Sequence, residues 1–144
     1  MIELILVITA LSILAVSAIP SNSGLAPITL DSATRKLKAD IRFAQSMATT
    51  TGDSYGFKVT GQTTYQIYNV ATGVVTTSPY TNIQMSEDLS KNFGKAKFTN
   101  VNQVLTFNSF GRPAVGGGIL IQLSDGTSTK GVQVSQSSGY LSLL

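Results

Sequence analysis

The hydrophobic pattern divides the chain into an apolar N-terminal segment and a more polar remainder. Between Leu4 and Ile19 every residue is apolar except for three Ser or Thr side chains, and the one charge in this region is Glu3. A helix over the first 19 residues at ~1.5 Å per residue would be roughly 28 Å long, close to the ~30 Å hydrocarbon thickness of a bilayer. The pattern therefore predicts a long hydrophobic helix that can span a membrane.

Helix-breaking residues follow this run, at Pro20, Gly24 and Pro27. Proline lacks a backbone donor and its ring clashes with the preceding helical turn, so a kinked or melted joint is expected from about Ser17 to Pro27. The sequence predicts two parts. Residues 1–27 form a hydrophobic helix that is interrupted near Pro20, and residues 28–144 form a globular domain.

The globular domain opens with a pattern typical of an amphipathic helix over residues 29–50. Thr29 or Asp31 is the expected N-cap, and Gly52 follows the helix. Apolar residues recur at steps of three and four, as a single buried face requires: Leu30, Ala33, Leu37, Ile41, Ala44 and Ala48. Charged residues are expected largely on the other side, either as a solvated face or as a surface that docks a neighbouring subunit: Arg35, Lys36, Lys38, Asp40 and Arg42.

Beyond Gly52 the pattern changes to strands separated by short turns. Alternating residues predict strands near 55–59, 65–68, 118–123, 131–135 and 139–143, with a further apolar group at 98–107. Turns containing Gly at 60–62, 71–73, 124–126 and 137–139 predict tight hairpins. Residues 79–95 are less regular, and "SEDLSKN" within them fits a loop or a short helical turn. The fold class is therefore α+β, a long helix packed on a small antiparallel β-domain that resembles a β-sandwich. The expected core residues are Phe57, Tyr65, Ile67, Phe98, Phe107, Ile119 and Ile121.

Composition removes most enzyme and metal chemistry. The chain has no Cys and no His, so thiolate nucleophiles, imidazole bases, haem attachment and the usual zinc ligands are absent. Asp125 stands alone, and Glu87 with Asp88 lacks the further oxygen ligands that Ca²⁺ requires. We therefore expect no enzymatic activity, no cofactor and no metal site. A net charge of +3, from 10 basic and 7 acidic residues, is modest.

Two parts of the sequence resemble one protein superfamily. "IELILVITALSILA" followed by Pro20 resembles the N-terminal helix of type IV pilins and type II secretion pseudopilins, in both the position of Glu3 and its spacing to the proline. "LKADIRFAQSMATTTGDSYGFKV" and "LTFNSFGRPAVGGGILIQLSDG" with "KGVQVSQSSGYLSLL" are similar to the minor pseudopilin H type and its type IV pilus counterpart.

This resemblance implies a structural subunit of a pilus or pseudopilus filament. It implies insertion in the bacterial cytoplasmic membrane before assembly and a periplasmic or extracellular filament afterwards. The expected partners are copies of the chain, other pilins or pseudopilins, the inner-membrane assembly platform, the prepilin peptidase and the lipid bilayer. By resemblance, Glu3 pairs with the N-terminal amine of a neighbouring subunit, and Pro20 kinks the helix. The alternative for Glu3 is a solvated carboxylate at the headgroup level.

Two other functions stay open. Arg112, in "FGRP", either belongs to a structural turn or contacts a partner or phosphate, because some pilus relatives take part in DNA uptake through basic residues near this turn. Binding to DNA without sequence preference neutralises several phosphates, and one Arg supplies few contacts, so nucleic acid is not the expected partner. The alternatives are a DNA-binding minor pilin and a monomeric, membrane-tethered binding module.

Overall fold

The computed structural model describes residue 3, residues 26–79 and residues 81–144. Glu3 is exposed. The rest of the predicted apolar segment lies outside the described residues, and so does the kink predicted at Pro20. The membrane helix and its joint therefore stay predictions.

The first described helix, α1, runs over Ala26–Thr51. It includes Pro27, whose fixed φ suits helical backbone, so the predicted joint does not extend to Pro27 and neither Thr29 nor Asp31 is the N-cap. At the other end Gly52 has φ +79° and donates its N–H to the carbonyl of Ala48 at 3.2 Å, as a glycine following a helix commonly does. The helix thus begins before the predicted start and ends at the predicted place.

In the described residues after α1, at 52–79 and 81–144, there are nine short strands and a second helix. One sheet contains β1 (Tyr55–Val59), β2 (Thr64–Asn69), β3 (Ser86–Asp88), β5 (Val104–Phe107) and β6 (Pro113–Val115), in the order β3-β2-β1-β5-β6. The other contains β4 (Lys97–Phe98), β7 (Leu120–Ser124), β8 (Thr129–Val134) and β9 (Leu141–Leu143), in the order β4-β7-β8-β9. Helix α2 spans Leu89–Phe93. All described strand pairs are antiparallel.

The irregular segment before residue 95 contains both a strand and a helix. Residues 86–88 form β3, which the sequence did not predict, because three residues are too few to show an alternating pattern. The short helical turn is confirmed as α2. Its N-cap is Asp88, whose carboxylate accepts from the N–H of Ser90 at 3.0 Å.

One apolar core joins α1 to both sheets. The predicted helix face is fully buried at all six positions, from Leu30 to Ala48. It packs with side chains from both sheets, among them Phe57, Ile67, Ile121 and Val132. The predicted α+β fold, with an N-terminal helix on antiparallel sheets, is therefore confirmed. Ile119 is the exception among the predicted core residues: it is only partly buried, since it lies just before β7 rather than within it.

An ion pair attaches the first half of α1 to the second sheet. Asp31 accepts hydrogen bonds from Arg35 Nε at 2.6 Å and from Lys130 Nζ at 2.6 Å, and Lys130 lies on β8. The hydrogen bond from Arg35 and then that from Lys130 lower the pKa of the Asp31 carboxyl to about 2.

The low pKa of Asp31 predicts an acid-dependent contribution to stability. An unfolded Asp titrates near ~3.9, so the contribution is present above roughly pH 4 and is lost as the pH falls through about 2. We expect Asp31→Asn to lower the urea midpoint of the full-length chain in detergent at pH 7 and to have little effect at about pH 2. Asp53→Asn, which removes an exposed carboxylate that makes no ion pair with the described residues, is the control. An equal loss at both pH values would contradict the prediction.

Candidate functional site

A buried carboxylate fixes α1 against the first sheet. Asp40 is 7% exposed, accepts a hydrogen bond from Lys36 Nζ at 2.6 Å, and accepts another from the hydroxyl of Tyr65 on β2. Lys36 also lies 3.9 Å from Glu87 on β3. The sequence placed Asp40 with the solvated charges of the helix, and this was wrong, because Asp40 lies at the margin of the apolar face and points at Tyr65. We call Lys36, Asp40, Tyr65 and Glu87 the Asp40 network.

Tyr65 is positioned by aromatic packing. The centre of its ring lies 5.0 Å from the ring centre of Phe57 and 5.9 Å from that of Phe98, and the Tyr65 and Phe98 rings meet edge to face. Burial, with the nearby Asp40 carboxylate as a second cause, raises the pKa of the Tyr65 hydroxyl far above its usual range. The hydroxyl therefore stays protonated and is a poor acid toward any substrate. Its role is to hold the helix in register over the sheet.

A second polar contact joins α1 to two turns near the C-terminal end of the chain. Gln45 Nε2 donates to the carbonyl of Gly111 at 2.7 Å and to that of Gly139 at 3.4 Å. A Cβ on Gly139 would lie 2.8 Å from Gln45 Nε2 and 2.9 Å from the Gly111 carbonyl oxygen, so a side chain has no room there. One helix side chain thus sets the position of two turns that are distant in sequence.

The turn that carries Arg112 is stabilised by its own hydrogen bonds. The side-chain oxygen of Asn108 accepts from the N–H of Phe110 at 3.0 Å and from that of Arg112 at 3.1 Å. The N–H of Asn108 donates to the carbonyl of Arg112 at 2.9 Å. Gly111 has φ +72°, which favours glycine. The backbone of "FGRP" therefore forms the structural turn that the sequence offered as one interpretation, while the Arg112 side chain is exposed.

This turn borders an exposed surface that contains an aromatic ring and cations. Phe110 is 82% exposed at the tip of the turn. Beside it lies a shallow cavity of about 430 Å³ that is open to solvent, lined by Arg42, Gln45, Ser46, Thr49, Phe110, Gly111 and Ser138. Lys38 lies one helical turn before Arg42, on the same side of α1. We call Lys38, Arg42, Phe110 and Arg112 the Phe110 surface; the sequence singled out Arg112 but missed Phe110 and Gln45.

Carboxylate clusters were one possible kind of site in this domain. Among residues 3, 26–79 and 81–144, no group of three or more Asp or Glu side chains could hold a metal ion. The Phe110 surface carries cations rather than carboxylates. What this surface can offer is recognition of an anionic or apolar partner.

Comparison with known families identifies the domain. The model of the type II transport protein GspH family matches residues 33–138, from the first half of α1 to the turn before β9. The chain belongs to the GspH family. It is therefore a member of the pilin and pseudopilin superfamily, as the sequence predicted, and a minor pilin or pseudopilin subunit of a pilus or a type II secretion system.

Solved structures agree with the fold of this GspH-family chain. In one crystal form of the type IV minor pilin FimU from Pseudomonas aeruginosa, the match covers 83% of this chain and 91% of FimU, with a TM-score of 0.63 and 17% identity. In a second crystal form it covers 80% and 92%, with a TM-score of 0.57 and 19% identity. This likeness shows the pilin-type fold. No curated protein matches the sequence.

Family membership gives context to the predicted sites of this GspH-family chain. Members assemble with other pilins into filaments and are membrane-anchored. Arg112 lies on the Phe110 surface. Glu3 is exposed, but the residues on either side of it lie outside the described part of the chain, and so does Pro20. Within residues 26–79 and 81–144, no helix has both the length and the apolar character to cross a membrane.

Proposed function

We propose that this chain is a non-enzymatic filament subunit of a type IV pilus-like or type II secretion pseudopilus assembly. Residues 1–27 hold it in the cytoplasmic membrane before assembly and pack into the filament core afterwards, while residues 28–144 form the domain on the outside. The observation that carries the proposal is a GspH-family domain behind an apolar run whose one charge is Glu3.

Glu3 gives the assembly its register in this proposal. An ionised carboxylate costs on the order of 2.5–3.5 kcal/mol at the centre of a bilayer, less near its edge, and normally has a partner. Exchanging lipid for neighbouring apolar helices changes hydrophobic burial little, so helix packing and polar pairing decide the association. Pairing of Glu3 with the N-terminal amine of the next subunit removes the unpaired charge and selects one axial position.

The remaining partners follow from the same scheme. Copies of this chain and other pilins or pseudopilins surround it in the filament, the prepilin peptidase matures it, and the inner-membrane platform assembles it. Pro20 separates the core-packing helix from α1, so the domain can settle against its neighbours without disturbing the helix core. The polar groups of the Asp40 network are used to fix the helix on the sheet, which supports a structural rather than a catalytic role.

Glu3→Gln tests this proposal. The substitution keeps the size of the side chain and removes its charge, so the subunit stays in the membrane but adds to filaments poorly. We expect the yield of sheared filaments to fall by about tenfold or more, the effect of losing roughly 1.4 kcal/mol or more of association free energy. Immunoblots of the sheared and membrane fractions measure both quantities.

Asp53→Asn is the matched control, because it also removes one exposed carboxylate but lies on the domain. It should leave filament yield unchanged. A normal filament yield from Glu3→Gln would refute the assembly role of Glu3. If the unmodified chain stays in the membrane and enters no filament when the other subunits are present, a monomeric membrane-tethered module is the correct function.

A further inference from the structure

The Phe110 surface has the features of a preformed contact site. Phe110 is held in a turn whose backbone is fixed by Asn108 and whose Gly111 carbonyl is bonded to Gln45 on α1. Because the backbone of this turn is already fixed, little backbone freedom is lost when a partner covers Phe110, which is 82% exposed. Exposed aromatic anchors of this kind contribute strongly to protein interfaces.

The cations around Phe110 have no ion-pair partner among the residues that the structure describes. Lys38, Arg42 and Arg112 make no ion pair with any residue that the structure describes. Lys38 and Arg42 stand four residues apart on one helix, where like charges repel. Arg42 lines the same cavity as Phe110, Lys38 lies one helical turn from Arg42, and Arg112 follows Phe110 by two residues. The surface is therefore complementary to a negatively charged partner.

A second copy of this chain offers little of that charge. All seven acidic residues lie within the described residues, and five are already engaged. Asp31 and Asp40 are paired with cations, Glu87 accepts from Asn92 and faces Lys36, and Asp88 and Asp125 bind backbone N–H groups of their own turns. Asp53 accepts a hydrogen bond from Asn69 at 3.4 Å but pairs with no cation among the described residues, and the proposed function places Glu3 in the filament core. One carboxylate would then face three cations.

We propose that the Phe110 surface docks a different, acidic filament subunit rather than another copy of this chain. Phe110 enters an apolar socket on the partner, carboxylates beside that socket pair with Arg42 and Arg112, and one partner side chain enters the cavity of about 430 Å³. A protein fits better than single-stranded nucleic acid, which is usually bound by several stacked aromatic rings along a longer basic groove. This proposal rests on the proposed filament function and names a partner for it.

A photo-crosslinking experiment tests the docking. Phe110 of the full-length chain is replaced by p-benzoylphenylalanine in cells that produce the other filament subunits, and the adduct is identified by mass spectrometry. The expected adduct joins position 110 to a different filament subunit, at a surface with at least two neighbouring Asp or Glu residues. An adduct with a second copy of this chain, an adduct with DNA, or no adduct in cells that make filaments would overturn the proposal.

Charge reversal gives the matched control. Arg42→Glu with Arg112→Glu should reduce the adduct by on the order of tenfold or more. Lys95→Glu with Lys97→Glu makes the same change in net charge at two exposed lysines that do not line the cavity, and should leave the adduct unchanged. Reversing the partner's acidic residues to Lys should restore the adduct with the Arg42→Glu, Arg112→Glu chain. Equal loss in the two double variants would also overturn the proposal.

Filament yield in the same cells separates this proposal from the proposed function. Filaments without the expected adduct leave the filament function standing and reject the docking surface. The expected adduct in cells where this chain never enters a filament supports the docking surface and rejects the filament function.

Discussion

Replacing Asp40 by Ala is expected to lower the free energy of unfolding by about 3 kcal/mol. Tyr65 is 1% exposed as a residue, and the substitution removes the carboxylate that accepts the hydrogen bond of its hydroxyl. It also removes the 2.6 Å partner of Lys36, whose remaining ion-pair contact within the described part of the chain is the 3.9 Å approach to Glu87. Because the Asp40 network joins α1 to the first sheet, the loss weakens the contact on which the whole domain depends.

Urea unfolding of the full-length chain in detergent, followed by circular dichroism, measures this effect. Asp53→Ala, at an exposed position, is the control and should change the free energy of unfolding by no more than about 0.5 kcal/mol. Tyr65→Phe should cost about 1–2 kcal/mol, since Asp40 keeps its bond from Lys36. A double variant that loses as much as the sum of the two single variants would show that Asp40 and Tyr65 do not act together.

Gly116→Ala is expected to cost about 3 kcal/mol or more. Gly116 follows β6 with φ +75°, and a Cβ there would lie 2.4 Å from the carbonyl oxygen of Val104 and 3.2 Å from the Cα of Leu105. Both are backbone atoms of β5, so the steric clash can be removed only if the paired strands β5 and β6 move apart. The same urea experiment measures the loss.

Gly73→Ala separates the conformational part of this cost from the steric part. Gly73 has φ +69°, but no atom of the residues that the structure describes lies within 4 Å of the position that a Cβ would take. It should therefore lose only the roughly 1–2 kcal/mol of placing a side chain in left-handed backbone. Equal losses at the two glycines would mean that β5 and β6 adjust without cost.

The helix and its buried face could be predicted because they depend on local spacing. Residues at steps of three and four share one side of any helix, so the positions from Leu30 to Ala48 could be assigned to the core without knowing what covers them. The longer strands and their glycine turns carry an equally local signal. Short elements such as β3 and β6 do not, because their place depends on the strand beside them.

The polar contacts could not be predicted, since each depends on a partner far along the chain. Asp40 resembles its charged neighbours in sequence, and it is distinguished by Tyr65, which is 25 residues away. The hydrogen bonds of Gln45 reach Gly111 and Gly139, which are 66 and 94 residues away, and no sequence pattern near position 45 predicts either partner. Arg112 could be singled out from the "FGRP" motif. The exposure of Phe110, two residues earlier, depends on the conformation of the turn, which the motif alone does not predict.

The distance that Gln45 bridges has a consequence for the order in which the protein is made. Helix α1 emerges from the ribosome long before β8 and β9, which cover part of its apolar face, and its contact with Gly139 spans 94 residues. At roughly 5–20 residues per second, synthesis of that interval takes on the order of 5–20 s, during which the part of the apolar face that β8 and β9 cover is exposed. A nascent chain halted before β8 and β9 would expose that face to other chains, so complete synthesis, rather than folding of the helix itself, sets the time for which a newly made molecule is vulnerable to aggregation.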